Sequence, residues 1–106
     1  MKSIVVFASG SGTNAEKIIS YFNAVDTAAV TKIYCNNIHA GVLDRAAKYG
    51  VSTRVFERSA FEKDVLEELK TAAPSLIVLA GFLWKIPPSF LEAFPSKIIN
   101  IHPSLL

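Results

Sequence analysis

The feature that most limits what this chain can fold into is a repetition. Short runs rich in branched apolar residues, at about 3–7, 29–35, 51–56, 75–80 and 97–101, are separated by stretches long enough for helices. Such runs are what strands buried on both faces look like. The intervening stretches carry a helical period. Asn14 to Val25 sets Ala15, Ile18, Ile19 and Phe22 on one stripe, and Ala60 to Ala72 does the same with Phe61, Val65, Leu66 and Leu69 beside a charged face. A weaker helix is expected from about His39 to Lys48, ending at Gly50. Pro74 stops the helix before strand four, and Pro87-Pro88 can open a short helix at Ser89 to Ala93, because proline is tolerated in a first turn. Repeated strand-helix-strand order predicts an α/β fold, a Rossmann-like doubly wound parallel sheet, with no linker or repeat dividing residues 1–106.

Ligands of such sheets bind beyond the carboxyl ends of the strands, which directs attention to 9–14, 36–39, 57–59, 81–86 and 100–106. In the first of these, Gly10-Ser11-Gly12-Thr13-Asn14-Ala15 lies between a strand and a helix. Glycines there permit close backbone approach, and a helix N-terminus offers unpaired N–H groups to an anion, so a phosphate is the natural guest. The same residues satisfy the dinucleotide pattern G-x-G-x-x-G/A, but the acidic residue expected after strand two is replaced by Cys35-Asn36-Asn37. A nicotinamide cofactor is therefore disfavoured, and the Walker pattern fails because no Gly-Lys-Ser/Thr follows. The plainer alternative is a tight turn with Thr13 or Asn14 as an N-cap, worth about 1 kcal/mol.

The last strand delivers Asn100 and His102 two residues apart, hence to the same side of an extended backbone, while Ile101 points into the other layer. An amide donor and an imidazole on one face at the ligand end of a parallel sheet are what acyl transfer requires, one to hold an oxyanion and one to move a proton. Taken alone, the pair equally suits a structural role in which Asn100 bonds to backbone and His102 caps the strand end. Context decides between them.

Composition narrows the rest. The balance of 51% hydrophobic and 19% charged residues suits a globular core, and a net charge of +2 without a basic run argues against nucleic acid or an anionic membrane as partner. Cys35 is the single cysteine, which removes intrachain disulfides and thiolate metal clusters and points to a reducing compartment, the cytoplasm. The apolar start ends at Ser9-Gly10-Ser11-Gly12, too early for a signal peptide or a membrane span. The chain halts four residues after His102, at Leu106, an abrupt place for a finished domain to stop.

Gly10-Ser11-Gly12-Thr13-Asn14, Leu79-Ala80-Gly81-Phe82 and Asn100-Ile101-His102-Pro103-Ser104-Leu105-Leu106, taken together, resemble the phosphoribosylglycinamide formyltransferase family over the whole chain. The resemblance implies a formyltransferase fold truncated after strand five. It also implies transfer of the formyl group of 10-formyltetrahydrofolate to the amine of phosphoribosylglycinamide, an early step of purine synthesis. Formyl-folate would be a co-substrate, with no tightly bound cofactor and no metal. By resemblance, Gly12, Thr13 and Asn14 hold the substrate phosphate, and Asn100 and His102 are catalytic. Leu83, Trp84, Lys85 and Ile86 wrap the folate pterin through their backbone, Arg58 contacts the folate, and Asn100 borders it. Trp84 and Lys85 depart from the Met-Arg-Ile-Leu that often follows Ala-Gly-Phe in the family. Family members have roughly twice this length and a catalytic aspartate downstream. The chain is accordingly expected to be the N-terminal part of a domain, inactive alone, with an exposed strand-five edge that supports a homo-oligomer.

Other readings remain. Methionyl-tRNA formyltransferase and formyltetrahydrofolate deformylase use the same folate, but both lack this N-terminal glycine loop. The first typically reads Asn-x-His-Gly, and the second carries another histidine, where this chain has Pro103. A non-catalytic phosphate-binding module is the rival of a different class.

Overall fold

The computed structural model describes residues 1–101. Its five strands, β1 (Lys2–Ala8), β2 (Ala28–Cys35), β3 (Ser52–Val55), β4 (Leu76–Ala80) and β5 (Ile98–Ile101), form one sheet in the order β3-β2-β1-β4-β5. Every pairing is parallel. β1 lies at the centre, and Ile4 to Ala8 are buried without a break, because helices cover both faces of this strand. The apolar runs of the sequence thus fall on the strands they predict.

Helices α1 (Thr13–Val25) and α2 (Val42–Lys48) cover one face, where Ala15, Ile19, Val42 and Ala46 pack on Ile4, Val6, Ile33 and Val78. The other face is covered by a continuous helical segment, α3 (Arg58–Ala60), a π-helical turn (Phe61–Val65) and α4 (Leu66–Ala72), together with α5 (Pro88–Ala93). There Phe61, Val65, Leu69 and Phe90 pack on Val5, Phe7, Tyr34 and Leu79. Phe7 is the hub of this layer. Its ring stacks on Tyr34 at 4.9 Å and meets the edges of Phe56 and Phe82 at 6.0 and 5.2 Å.

Three helix boundaries differ from the sequence expectation, each for a local reason. α2 begins at Val42 rather than near His39, because the Asn37 side chain accepts the His39 N–H at 3.0 Å and its carbonyl accepts the Ala40 N–H, a turn that competes with helix. The segment expected from Ala60 starts at Arg58 and widens through its π turn. It ends at Ala72, as expected, and the next residue, Ala73, is left-handed at φ 48° directly before Pro74, whose ring disfavours a right-handed helical residue ahead of it. α5 takes Pro88 itself into its first turn. Among the described residues, no helix is long and apolar enough to cross a membrane.

Candidate active site

Strand order reverses at β1, which has β2 on one side and β4 on the other. The loops leaving β1 and β4 therefore open side by side at the carboxyl end of the sheet, the place where parallel α/β sheets bind ligands. They line a common cavity of about 260 Å³, with residues 10–14 on one wall and Ala80, Gly81 and Leu83 on the other.

On the first wall, Gly12 is the N-cap of α1, in the left-handed region at φ 80°. No side chain caps this helix, and the Ser11 and Thr13 hydroxyls lie 3.1 Å from each other instead. The turn is therefore not the side-chain-capped one that the plainer reading of the loop required. The first intrahelical bond runs from the Glu16 N–H to the Gly12 carbonyl at 2.8 Å, and the amides of Thr13, Asn14 and Ala15 have no acceptor among the described residues. Three unpaired N–H groups at the positive end of a helix suit an anion.

A charged network fixes this loop from behind. The Arg45 Nε–H donates to the Ser11 carbonyl at 2.6 Å, and the Val42 N–H donates to the Gly10 carbonyl at 3.1 Å. Arg45 also pairs with the Glu16 carboxylate, which accepts further bonds from Lys48 at 2.9 Å and from the Tyr49 hydroxyl at 3.0 Å. Lys48, then Arg45 and Tyr49, hold the Glu16 carboxyl well below its ordinary value, down to about 2. Because the folded state binds this proton more weakly than the unfolded chain, the stabilisation is complete above about 4.5 and is lost as the pH falls towards about 2. Glu16→Gln is accordingly expected to flatten the dependence of melting temperature on pH across that window. Parallel acid-melting curves for the two proteins would exclude a contribution from Glu16.

The second wall belongs to the loop after β4. Leu83 is 83% exposed at the mouth, Lys85 is exposed, and Ile86 and Phe82 pack on the aromatic layer below. Trp84 is partly buried against Phe56 and Phe61, with centroids at 5.7 and 5.6 Å, and the Arg58 guanidinium sits 4.2 Å from the centre of its ring. The pair is a cation–π contact. Arg58 and Trp84 border a neighbouring cavity of about 650 Å³ at the ends of β2 and β3, which Asn36 also lines; the Asn36 side-chain oxygen is itself buried, with no partner among the described residues.

Asn100 stands opposite Leu79 in the β4–β5 register, two residues short of the Gly81 turn. Ile98 packs in the layer of Phe7 and Ile101 in that of Ile4, so Asn100, on the Ile98 face, shares its side of the sheet with Phe82 and Trp84. Its side chain is exposed and makes no hydrogen bond to a described residue. His102, expected beside it, lies outside the described residues, as do Pro103 to Leu106.

Three residues that shape the site, Ser9, Glu16 and Arg45, belong to no motif in the sequence. Ser9 was visible only as the polar residue that follows the apolar run Ile4 to Ala8. The Cys35 thiol is buried in the core and donates to the Asn37 carbonyl at 3.2 Å, and burial pushes its pKa up, so it is a packing group rather than a nucleophile. Among the described residues, no group of three or more His, Cys, Asp or Glu side chains could hold a metal.

Residues 2–106 match the formyl transferase family. The chain is 37% identical to the phosphoribosylglycinamide formyltransferase of Bacillus subtilis, an alignment covering 100% of this chain and 58% of the relative. It is 39% identical to that of Haemophilus influenzae, covering 100% of this chain and 53% of the relative. Among solved structures it resembles glycinamide ribonucleotide transformylase 1 from Geobacillus kaustophilus, with a TM-score of 0.89 and 42% identity over 100% of this chain and 60% of that one. The phosphoribosylglycinamide formyltransferase of Brucella melitensis gives a TM-score of 0.90 and 33% identity over 99% of this chain and 58% of that one. The chain thus spans about half the length of the curated relatives it matches.

Proposed function

The chain belongs to the formyl transferase family, and on that premise we propose that it forms the phosphate-binding and formyl-folate-binding part of an enzyme that formylates phosphoribosylglycinamide. The observation that carries this reading is the shared cavity at the strand-order reversal, where an uncapped helix N-terminus faces the loop after β4. The substrate phosphate binds the amides of Gly12, Thr13 and Asn14. 10-Formyltetrahydrofolate lies along the backbone of Leu83, Trp84, Lys85 and Ile86, with Arg58 at its side.

The amine of phosphoribosylglycinamide attacks the formyl carbon directly, so no serine or cysteine nucleophile is needed. A tetrahedral oxyanion forms, Asn100 donates to it, and protonated His102 assists. Collapse of the intermediate expels the folate nitrogen, which takes up a proton. The exposed side chain of Asn100 is free to make such a donation. An unperturbed histidine with a pKa of about 6.5 is only partly charged at neutral pH, so His102 needs a nearby carboxylate to hold its proton. In the same reading, the edge of β5, where Ile99 is 45% exposed, is a surface for a second copy or for further chain.

Two experiments test the proposal. Inorganic phosphate titrated into the 106-residue chain is expected to shift the backbone amide resonances of Gly12, Thr13 and Asn14 before any others. A chain continued to the length of its relatives is expected to release tetrahydrofolate from 10-formyltetrahydrofolate only when phosphoribosylglycinamide is present. Turnover without the amine would instead favour a deformylase, and phosphate binding elsewhere would mean that Gly12, Thr13 and Asn14 are not the phosphate site.

A further inference from the structure

We propose that Ser9 is the positioning residue that holds the folate-binding loop against the phosphate loop; the identity of that loop's ligand rests on the function proposed above. Ser9 is the one polar residue in the buried set among the described residues, 6% exposed at the end of β1. It makes two bonds to the loop after β4. Its backbone N–H donates to the Gly81 carbonyl at 3.2 Å, and its hydroxyl oxygen accepts the Leu83 N–H at 2.9 Å. One residue thereby clamps the turn 81–83, whose first residue is left-handed at φ 73°. A Cβ at Gly81 would meet nothing within 4 Å, so glycine serves the conformation of that turn rather than the space around it.

The position of Ser9 gives the clamp its consequence. The residue directly after it, Gly10, begins the wall that binds the anion, and the loop it clamps forms the opposite wall of the same cavity. Leu83 is 83% exposed, so its side chain does little to anchor the loop, and the bond from its amide substitutes for packing. Without the Ser9 hydroxyl, the 83–86 backbone loses the tether nearest the ligand, and the Leu83 N–H is left partly buried without an acceptor. β1 keeps its sheet bonds, and the anion loop keeps the bonds from the Val42 N–H to Gly10 and from Arg45 to Ser11.

In the 106-residue chain, Ser9→Ala is expected to speed hydrogen exchange at the Leu83 amide by about tenfold and to move the fluorescence of Trp84, the single tryptophan, while phosphate affinity stays within about twofold. In a chain continued to the relatives' length, KM for 10-formyltetrahydrofolate should rise about tenfold, with KM for phosphoribosylglycinamide little changed. Ser9→Cys fills the same space with a poorer acceptor and should repeat these effects. Wild-type exchange and folate KM in Ser9→Cys would show that the site needs only to be filled, and would overturn the proposal. Faster Leu83 exchange with an unchanged folate KM would likewise overturn the role in binding. Absence of formyl transfer in the continued wild-type chain would overturn the functional reading and the loop's ligand with it, whereas faster Leu83 exchange in Ser9→Ala would still support the tether.

Discussion

In a chain continued to the length of its relatives, Asn100→Ala is expected to lower kcat by about 10² to 10³, equivalent to roughly 3 to 4 kcal/mol of transition-state stabilisation. The loss should fall on kcat with KM nearly unchanged, because the oxyanion that Asn100 serves exists only in the transition state. Stability should hardly move. In the 106-residue chain the side chain is exposed and bonds to no described residue, and substitutions at such positions usually stay within about 0.5 kcal/mol, so the melting temperature is compared there. That separation makes the test decisive, since a structural asparagine would give the opposite result, a lower melting temperature with kcat intact. His102→Ala should do comparable damage, and the double variant should cost much less than the sum of the two if both residues act on one intermediate. Wild-type kcat in Asn100→Ala would end the catalytic assignment.

How much of this was written in the sequence depends on the range of the interaction. The strands were legible because each of the inner ones carries a run buried on both faces and therefore apolar, Ile4 to Ala8 in β1, Ile33 to Cys35 in β2 and Ile77 to Ala80 in β4; the expected run 75–80 became Leu76–Ala80. The glycine turn after β1 and the helix start that follows it were legible because they are local, five residues that lie next to one another. The face of the sheet on which Asn100 lies was legible through the two-residue period of a strand. The start of α2 was misplaced because the bond from the His39 N–H to Asn37 is a choice between two local structures that periodicity does not register. Ser9, Glu16 and Arg45 were missed for another reason. The bond between Ser9 and Leu83 joins residues 74 positions apart, and that between Arg45 and Glu16 joins residues 29 apart. Such pairings exist only once the sheet has brought β1 beside β4 and α1 beside α2. The Arg58–Trp84 stack belongs to the same class, and each residue on its own reads equally well as a loop charge and a packing aromatic.

Gly12→Ala is expected to destabilise the fold by about 2 to 5 kcal/mol and to abolish anion binding in the same step. Two costs add at this position. A side chain at φ 80° strains the backbone by about 1 to 2 kcal/mol. The new Cβ would also sit 2.5 Å from Val42 Cγ2, 2.6 Å from Val42 Cβ and 2.7 Å from Val42 Cα, an overlap that typically costs about 1 to 3 kcal/mol. Because one of the three close atoms is backbone, trimming the neighbour cannot relieve the strain, and Val42→Gly in the same chain should fail to restore stability. The start of α2 has to move away, and it carries the Val42 N–H bond to Gly10 and, through Arg45, the bond to the Ser11 carbonyl. The amides of Thr13 and Asn14 then lose the backing that aims them. For a domain of this size, 1 kcal/mol corresponds to about 4 to 8 °C, so the melting temperature should fall by at least about 8 °C. Thermal unfolding with and without phosphate measures both parts, since wild-type protein should be stabilised by the anion and Gly12→Ala should not. A Gly12→Ala protein that melts within a few degrees of wild type, or is still stabilised by phosphate, would mean that the close approach of α1 to α2 neither holds the fold together nor shapes the anion site.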